Sequence, residues 1–276
     1  MPAENERLAL NVGCEFAFET TRLTTAVLQV APSPQADMQL RSEVWDTQAD
    51  HHGYVDAYGN RCERFTIAPG SSRLIYRAEV ERERPADVIE PERAETSPAL
   101  LPDETLRFVM PSRYCLPDEL GNEAWNRFGD LAPGWSRVQA IVDWVHTEVE
   151  WIAGASNPWT TAVDVLHARQ GVCRDFAHLA ISFCRALNIP ARYVFGYLPT
   201  IGVPPPPEPM DFAAWFEVYL DGEWCTFDAR NNELRTGRVI VGRGRDAADV
   251  ALITSLGALN LTEFWVTAEP AASATA

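Results

Sequence analysis

Asp221-Gly222 is the strongest short hairpin signal in the chain, and it separates two runs of strand-like character, residues 213–220 and 223–229. A two-residue turn fixes the register: Leu220 faces Glu223 and Tyr219 faces Trp224. Further along, Trp215 falls opposite Asp228 and Ala213 opposite Arg230. Side chains at 213, 215, 226, 228 and 230 then share one face of the ribbon, with Asp228 diagonal to position 213. Such a ribbon must bury a face against a partner, and the chain offers one just upstream. A helix beginning at or near Cys173 carries Phe176, Leu179, Ala180, Phe183 and Leu187 on one side and ends at Asn188-Ile-Pro190.

The rest of the pattern surrounds this pair. Val138, Ile141, Val142, Val145 and Val149 form one apolar stripe, with Ser136 as the predicted cap. A short helix is predicted from Ala162 to Arg169, stopping near Gly171, and a strand over residues 191–198. Val203-Pro-Pro-Pro-Pro-Glu-Pro209 reads as an extended connector, with a groove wall or lid as the alternative. The first ninety residues alternate in strand fashion, as in Cys14-Glu-Phe-Ala-Phe-Glu and Ser72-Arg-Leu-Ile-Tyr-Arg-Ala-Glu-Val80. The predicted organisation is α+β: an N-terminal β domain with linker over 1–95, a core domain over 96–268 and a loose tail over 269–276.

Composition narrows the function classes. The net charge is −16 and every one of the 23 basic residues is arginine, which disfavours nucleic acid and anionic membrane as partners. The absence of lysine excludes Schiff-base and Ser-Lys mechanisms within the chain. No apolar run reaches membrane-spanning length and the start, Met1-Pro-Ala-Glu-Asn-Glu-Arg, lacks signal-peptide order, so a cytoplasmic location is expected. The six cysteines, Cys14, Cys62, Cys115, Cys173, Cys184 and Cys225, form no Cys-x-x-Cys pair; neither a metal site nor a cofactor is predicted.

Cys173 differs from the other five by its place. A cysteine in the first turn of a helix lies at the positive end of the macrodipole, which favours thiolate, and Arg174 adds charge beside it. The competing reading is a small buried apolar residue. A histidine at 213, oriented by Asp228, would complete a nucleophile–base–orienter set with that cysteine.

Gly171-Val-Cys-Arg-Asp-Phe-Ala177, Arg185-Ala-Leu-Asn-Ile-Pro-Ala-Arg-Tyr-Val194 and Gly196-Tyr197 resemble the nucleophile segment of the bacterial transglutaminase-like superfamily. Phe212-Ala-Ala-Trp-Phe-Glu-Val-Tyr-Leu220, Trp224 and Phe227-Asp-Ala-Arg230 resemble its histidine and aspartate segments. The region around Asp56-Ala-Tyr-Gly-Asn60 is similar to the small β domain that often precedes the core, so the likeness runs from about residue 10 to 265. It implies a papain-like core, in which a cysteine-bearing helix packs on an antiparallel sheet, and chemistry through a thioester on a peptide or carboxamide. Carried over by position, Cys173 is the nucleophile and Asp228 the orienter, while the histidine position is occupied by Ala213. Asn231 follows Arg230 where related sequences often have histidine.

No other histidine fits the role. His178 lies five residues past Cys173, about 140° around the helix, so the two side chains point apart. His146 is expected to face outward from the valine stripe, and His51, His52 and His167 lie elsewhere in the pattern. Trp215, on the face of Asp228, is the predicted substrate-bordering aromatic, and Arg230 is read as a salt-bridge partner more readily than as a substrate clamp. Two functions follow. One is a thiol acyltransferase or amidase acting on a peptide or protein substrate; the other is a catalytically impaired homologue serving as a peptide- or protein-binding module.

Overall fold

The computed structural model describes residues 7–83, 86–205 and 208–271. The N-terminal region forms β1 (Leu8–Thr20), β2 (Thr24–Leu28), β3 (Met38–Asp46), β4 (Asp50–Val55), β5 (Arg61–Ile67) and β6 (Gly70–Arg82). Four helices interleave with two short strands: α1 (Pro117–Phe128), α2 (Trp135–Glu148), β7 (Glu150–Trp151), α3 (Ala162–Ala168), β8 (Gln170–Gly171) and α4 (Cys173–Ala186). The chain ends in β9 (Ala191–Tyr197), β10 (Ala213–Leu220), β11 (Glu223–Phe227), β12 (Val239–Gly244), β13 (Ile253–Leu256) and β14 (Asn260–Pro270). The α+β expectation is met, with helices gathered on one antiparallel sheet and further sheets beside it.

That sheet has the order β11-β10-β9-β12, all antiparallel. Its hairpin keeps the predicted register from Leu220↔Glu223 to Phe216↔Phe227. Asp221 and Gly222 both take positive φ, 48° and 85°, as a right-twisted two-residue hairpin turn requires. The faces divide by parity. Ala214, Phe216, Val218 and Leu220 join Phe176, Leu179, Ala180 and Phe183 of α4 in the main core. Ala213 and Trp215 pack instead with Val194 and Ile240 on the far side. The helix therefore covers the even-numbered face, not the face shared by 213, 215 and 228.

The valine stripe of α2 is buried throughout, from Val138 to Val149. Ser136 does not cap it: Gly134, at φ 119°, takes the cap position, and its N–H donates to Glu95 Oε1 at 2.9 Å. A Cβ at 134 would stand 2.7 Å from the Arg93 carbonyl oxygen, so only glycine lets the preceding segment approach. The predicted linker is thus stitched to the core, through Glu95 here and through Asp87 to Arg235 and Arg238 further on.

The N-terminal strands build two antiparallel sheets, β14-β1-β6-β3 and β13-β2-β5-β4. They share an interior in which Trp45 of β3 packs edge-on against Phe65 of β5. Both sheets recruit a strand from the far end of the sequence. Because β14 pairs with β1 and β13 with β2, residues 253–268 join the β domain rather than the core to which the sequence pattern assigned them. Glu269 and Pro270 of the predicted tail belong to β14, and residues 272–276 lie outside the described residues. The Tyr197 hydroxyl donates to the Val30 carbonyl at 2.9 Å, tying β9 to the β domain.

Candidate functional site

The parallel pair β7–β8 delivers the chain to α4. Gly171 has no room for a side chain, since a Cβ there would meet the Asp175 Cβ at 2.7 Å. That closeness lets buried Asp175 reach back and accept the Val172 N–H at 2.8 Å, pinning the first turn. Cys173 opens the helix as predicted. It is the one half-exposed cysteine; the other five are buried.

Its thiol is not the thiolate that the helix end alone would favour. Burial pushes Cys173 up to about 11. The Arg230 charge and the Ala214 backbone N–H pull it down, but Asp211 and Asp175 push it further up. Desolvation is the largest influence on a sulfur that lies among Tyr193, Phe195 and Ala214 on the sheet side.

Asp228 follows β11 and is buried. It accepts the N–H groups of Arg230 and Asn231 at 3.1 and 3.0 Å and the Asn231 side-chain amide at 2.8 Å. Arg238 completes the shell at 3.0 Å, and the same guanidinium binds Asp87 at 2.9 Å. Burial works against the Asp228 charge, yet Arg238 and Asn231 hold its carboxyl below the usual range. Asp228 is thus an ionised carboxylate already surrounded by donors. Arg238, which the sequence reading did not single out, also lies over the Trp215 ring at 4.8 Å. Trp215, expected beside the substrate, is only 1% exposed and lines neither hollow that Cys173 lines. It backs the Asp228–Arg238 pair from within.

Cys173 lines two adjoining hollows. The larger, of about 730 Å³, also meets Ala213, Asp211, Trp151, Arg230 and the proline segment at Pro204, Pro205 and Pro209. The smaller, of about 310 Å³, meets Arg174, Tyr193, Phe195 and Ala214. Cys173 and position 213 therefore share a cavity at the rim of the sheet, although the body of α4 packs on the opposite face. The proline segment forms a groove wall; Pro206 and Pro207 lie outside the described residues.

No histidine takes the place of Ala213. His178 is sealed between Tyr114 and Tyr193, with ring centroids 5.1 Å from each, and its Nε2 accepts the Ala247 N–H at 3.1 Å. Burial holds it neutral, well below the usual histidine range, with Arg174 and Arg185 adding to the effect. His146 turns out to be employed: its Nδ1 lies 3.0 Å from the Arg230 carbonyl oxygen, fixing the backbone there. Arg230 does not pair with Asp228. Its guanidinium stacks on Trp151 at 4.9 Å, inside the cleft. Asp211, which the sequence reading passed over, lines both hollows; burial raises its carboxyl, with the Phe212 N–H and Arg230 opposing. Among the described residues no group of three or more His, Cys, Asp or Glu is placed to hold a metal ion. No helix there is long and apolar enough to cross a membrane.

A cysteine opening a helix that packs on an antiparallel sheet, with a buried aspartate just past the neighbouring hairpin strand, is the arrangement of a papain-like thiol fold. Residues 126–229 match the family model of the transglutaminase-like superfamily. A solved structure from Cytophaga hutchinsonii, described as a candidate cysteine protease, is 30% identical with a TM-score of 0.88; the match covers 98% of this chain and 93% of that one. Uncharacterized proteins of Mycobacterium leprae and Mycobacterium tuberculosis are 34% and 39% identical over 117 residues. Those matches cover 41% and 38% of this chain, and 42% and 37% of the two relatives' own lengths. The chain belongs to the transglutaminase-like superfamily.

Proposed function

We propose that this protein binds a peptide or carboxamide in the Cys173 cleft without turning it over efficiently. The carrying observation is the lack of an imidazole at the nucleophile: position 213 is alanine, beside a thiol held up to about 11. Loss of the base from a nucleophile–base pair lowers rates by roughly 10⁴–10⁶ in serine triads. Cysteine suffers less, but an amide leaving group still needs a proton, and no histidine lines the cleft. Asp228, the natural orienter for an imidazole, is occupied by Arg238 and Asn231.

A second reading is acyl transfer from activated donors, supported by the Ala214 N–H and the Arg230 charge near the thiol. The Cys173 sulfur would attack the acyl carbonyl, and an aryl oxide would leave with its electron pair without needing a proton. Water or an amine would then attack the thioester and return the thiol.

The test sets the native chain beside Ala213→His and Cys173→Ala, with glutaminyl peptides as amides and a p-nitrophenyl ester as activated donor. Calorimetric peptide binding without amide turnover in the native chain is expected, with amide turnover gained in Ala213→His. Native amide turnover equal to that of Ala213→His would overturn the binding reading. A Cys173-dependent burst of nitrophenol alone would select the second reading.

A further inference from the structure

We infer that Arg230 is a carboxylate-reading residue, and that the cleft takes ligands bearing a free carboxylate beside the group that meets Cys173. The inference rests on the reading that this cleft is the ligand site. Arg230 is half-buried, and among the described residues its guanidinium has no carboxylate within 4.0 Å. It is not idle surface charge. Trp151 supports it face-on at 4.9 Å, and the backbone at 229–230 is fixed by His146 and by Asp228. An arginine whose guanidinium carbon lies over an aromatic ring, with no carboxylate against it, has N–H groups left to donate, and two of them match a carboxylate in parallel hydrogen bonds.

The other charges around the cleft leave this role open. Glu233 lies 3.6 Å from Arg235, a partner of its own. Asp211 feels the Arg230 charge but makes no ion pair with it, and burial raises its carboxyl, so it leaves the Arg230 N–H groups unbonded. Glu208 sits exposed at the proline segment, at the cleft mouth. Arg174 is spent on Asp175 at 3.3 Å and on the Asn157 carbonyl at 2.6 Å. Arg235 also lines the hollow, but it is buried, donates to the Pro199 carbonyl at 3.2 Å and lies by Glu233, so Arg230 is the more exposed cation with N–H groups left for a ligand. Its charge also falls on Cys173, which places the carboxylate contact and the thiol in one pocket.

Two alkylating probes read this directly. In each, the thiolate sulfur forms a bond to carbon and iodide leaves with the electron pair; iodoacetate carries a carboxylate and iodoacetamide does not. Cys173 is the half-exposed cysteine, so its labelling is followed by mass spectrometry. The iodoacetate-to-iodoacetamide rate ratio, divided by that of glutathione, cancels changes in thiolate fraction. A ratio about tenfold above glutathione is expected in the native chain, falling to the glutathione value in Arg230→Gln. Equal ratios in native chain and variant, with both folded by circular dichroism, would overturn the inference. Three protecting peptides then tell the carboxylate's source: acetyl-Gln-Gly with a free C-terminus, its amide, and acetyl-Gln-Glu amide. Protection by the first alone means a chain terminus, by the third as well a side chain, and by the plain amide equally would count against any carboxylate preference. Turnover plays no part in these readouts, so they stand or fall separately from the proposed lack of catalysis.

Discussion

Replacing Arg238 by methionine strips the neutralising charge from two carboxylates at once. The guanidinium is 6% exposed and the Asp228 side chain 4%, so water cannot take its place readily. Asp87, the second partner, is 15% exposed and contributes less. Breaking one side of a buried ion pair costs about 3–5 kcal/mol. For a chain of this size that is a fall of roughly 6–20 °C in Tm, at about 2–4 °C per kcal/mol. The deficit has a pH signature. In the native protein Asp228 is held below its usual range, so its stabilisation is present at neutral pH and lost as pH falls through its folded pKa. Without Arg238, burial is opposed only by the neutral backbone and amide donors of Arg230 and Asn231 and the carboxyl rises, so the variant is penalised most at neutral pH and relieved as the acid protonates. Urea unfolding of both proteins at pH 7 and 4.5 measures the gap, which is expected to narrow toward acid. Adding Asp228→Asn to the variant should recover part of the loss at pH 7. A gap under about 1 kcal/mol at pH 7, or one unchanged at pH 4.5, refutes the buried-pair argument.

Gly171→Ala forces a methyl group against Asp175 and should destabilise by about 1–3 kcal/mol, read as a lower urea midpoint; an unchanged midpoint would mean the helix start has slack. His178 is held neutral in the fold but is free to take a proton when unfolded, so stability should decline below about pH 6.5, by roughly 1.4 kcal/mol per pH unit from this group. His178→Gln should remove that slope whatever its effect on stability at pH 7.5, and a slope that persists assigns it elsewhere. Trp151→Ala removes the support under Arg230 and should lower the iodoacetate-to-iodoacetamide ratio while leaving the far-ultraviolet spectrum unchanged.

Local signals carried most of the core. The Asp-Gly turn fixed the β10–β11 register, and the apolar spacing from Phe176 to Leu187 located α4, whose start falls at or near Cys173 as expected. What periodicity cannot say is which face of a sheet a helix will choose, and here it covers the face of Phe216, not that of Trp215. Trp215 was expected at the rim for that reason. The partners of Asp228 were hidden differently: Arg238 lies ten residues on, past a loop, in a chain where every cation is arginine and none stands out by type. The return of β13 and β14 to β2 and β1 is a long-range pairing for which no local pattern exists. Helix α1 could have been read: Pro117 at its start, Asp118 and Glu119 in its first turn, and Leu120, Ala124 and Phe128 spaced four apart are ordinary helix signals.

The protonation state of the Cys173 sulfur separates a cleft that holds a ligand from one that reacts with it. Carbamidomethylation of Cys173 by iodoacetamide, followed residue by residue against pH, gives its titration directly. The expected curve is still rising at pH 10 with a midpoint near 11, and at pH 7.5 the rate is about 30-fold below a free thiol, after allowing for the greater nucleophilicity of a more basic sulfur. A plateau reached by pH 8, with rates at neutral pH equal to or above those of a free thiol, would mean an activated nucleophile and contradict the account.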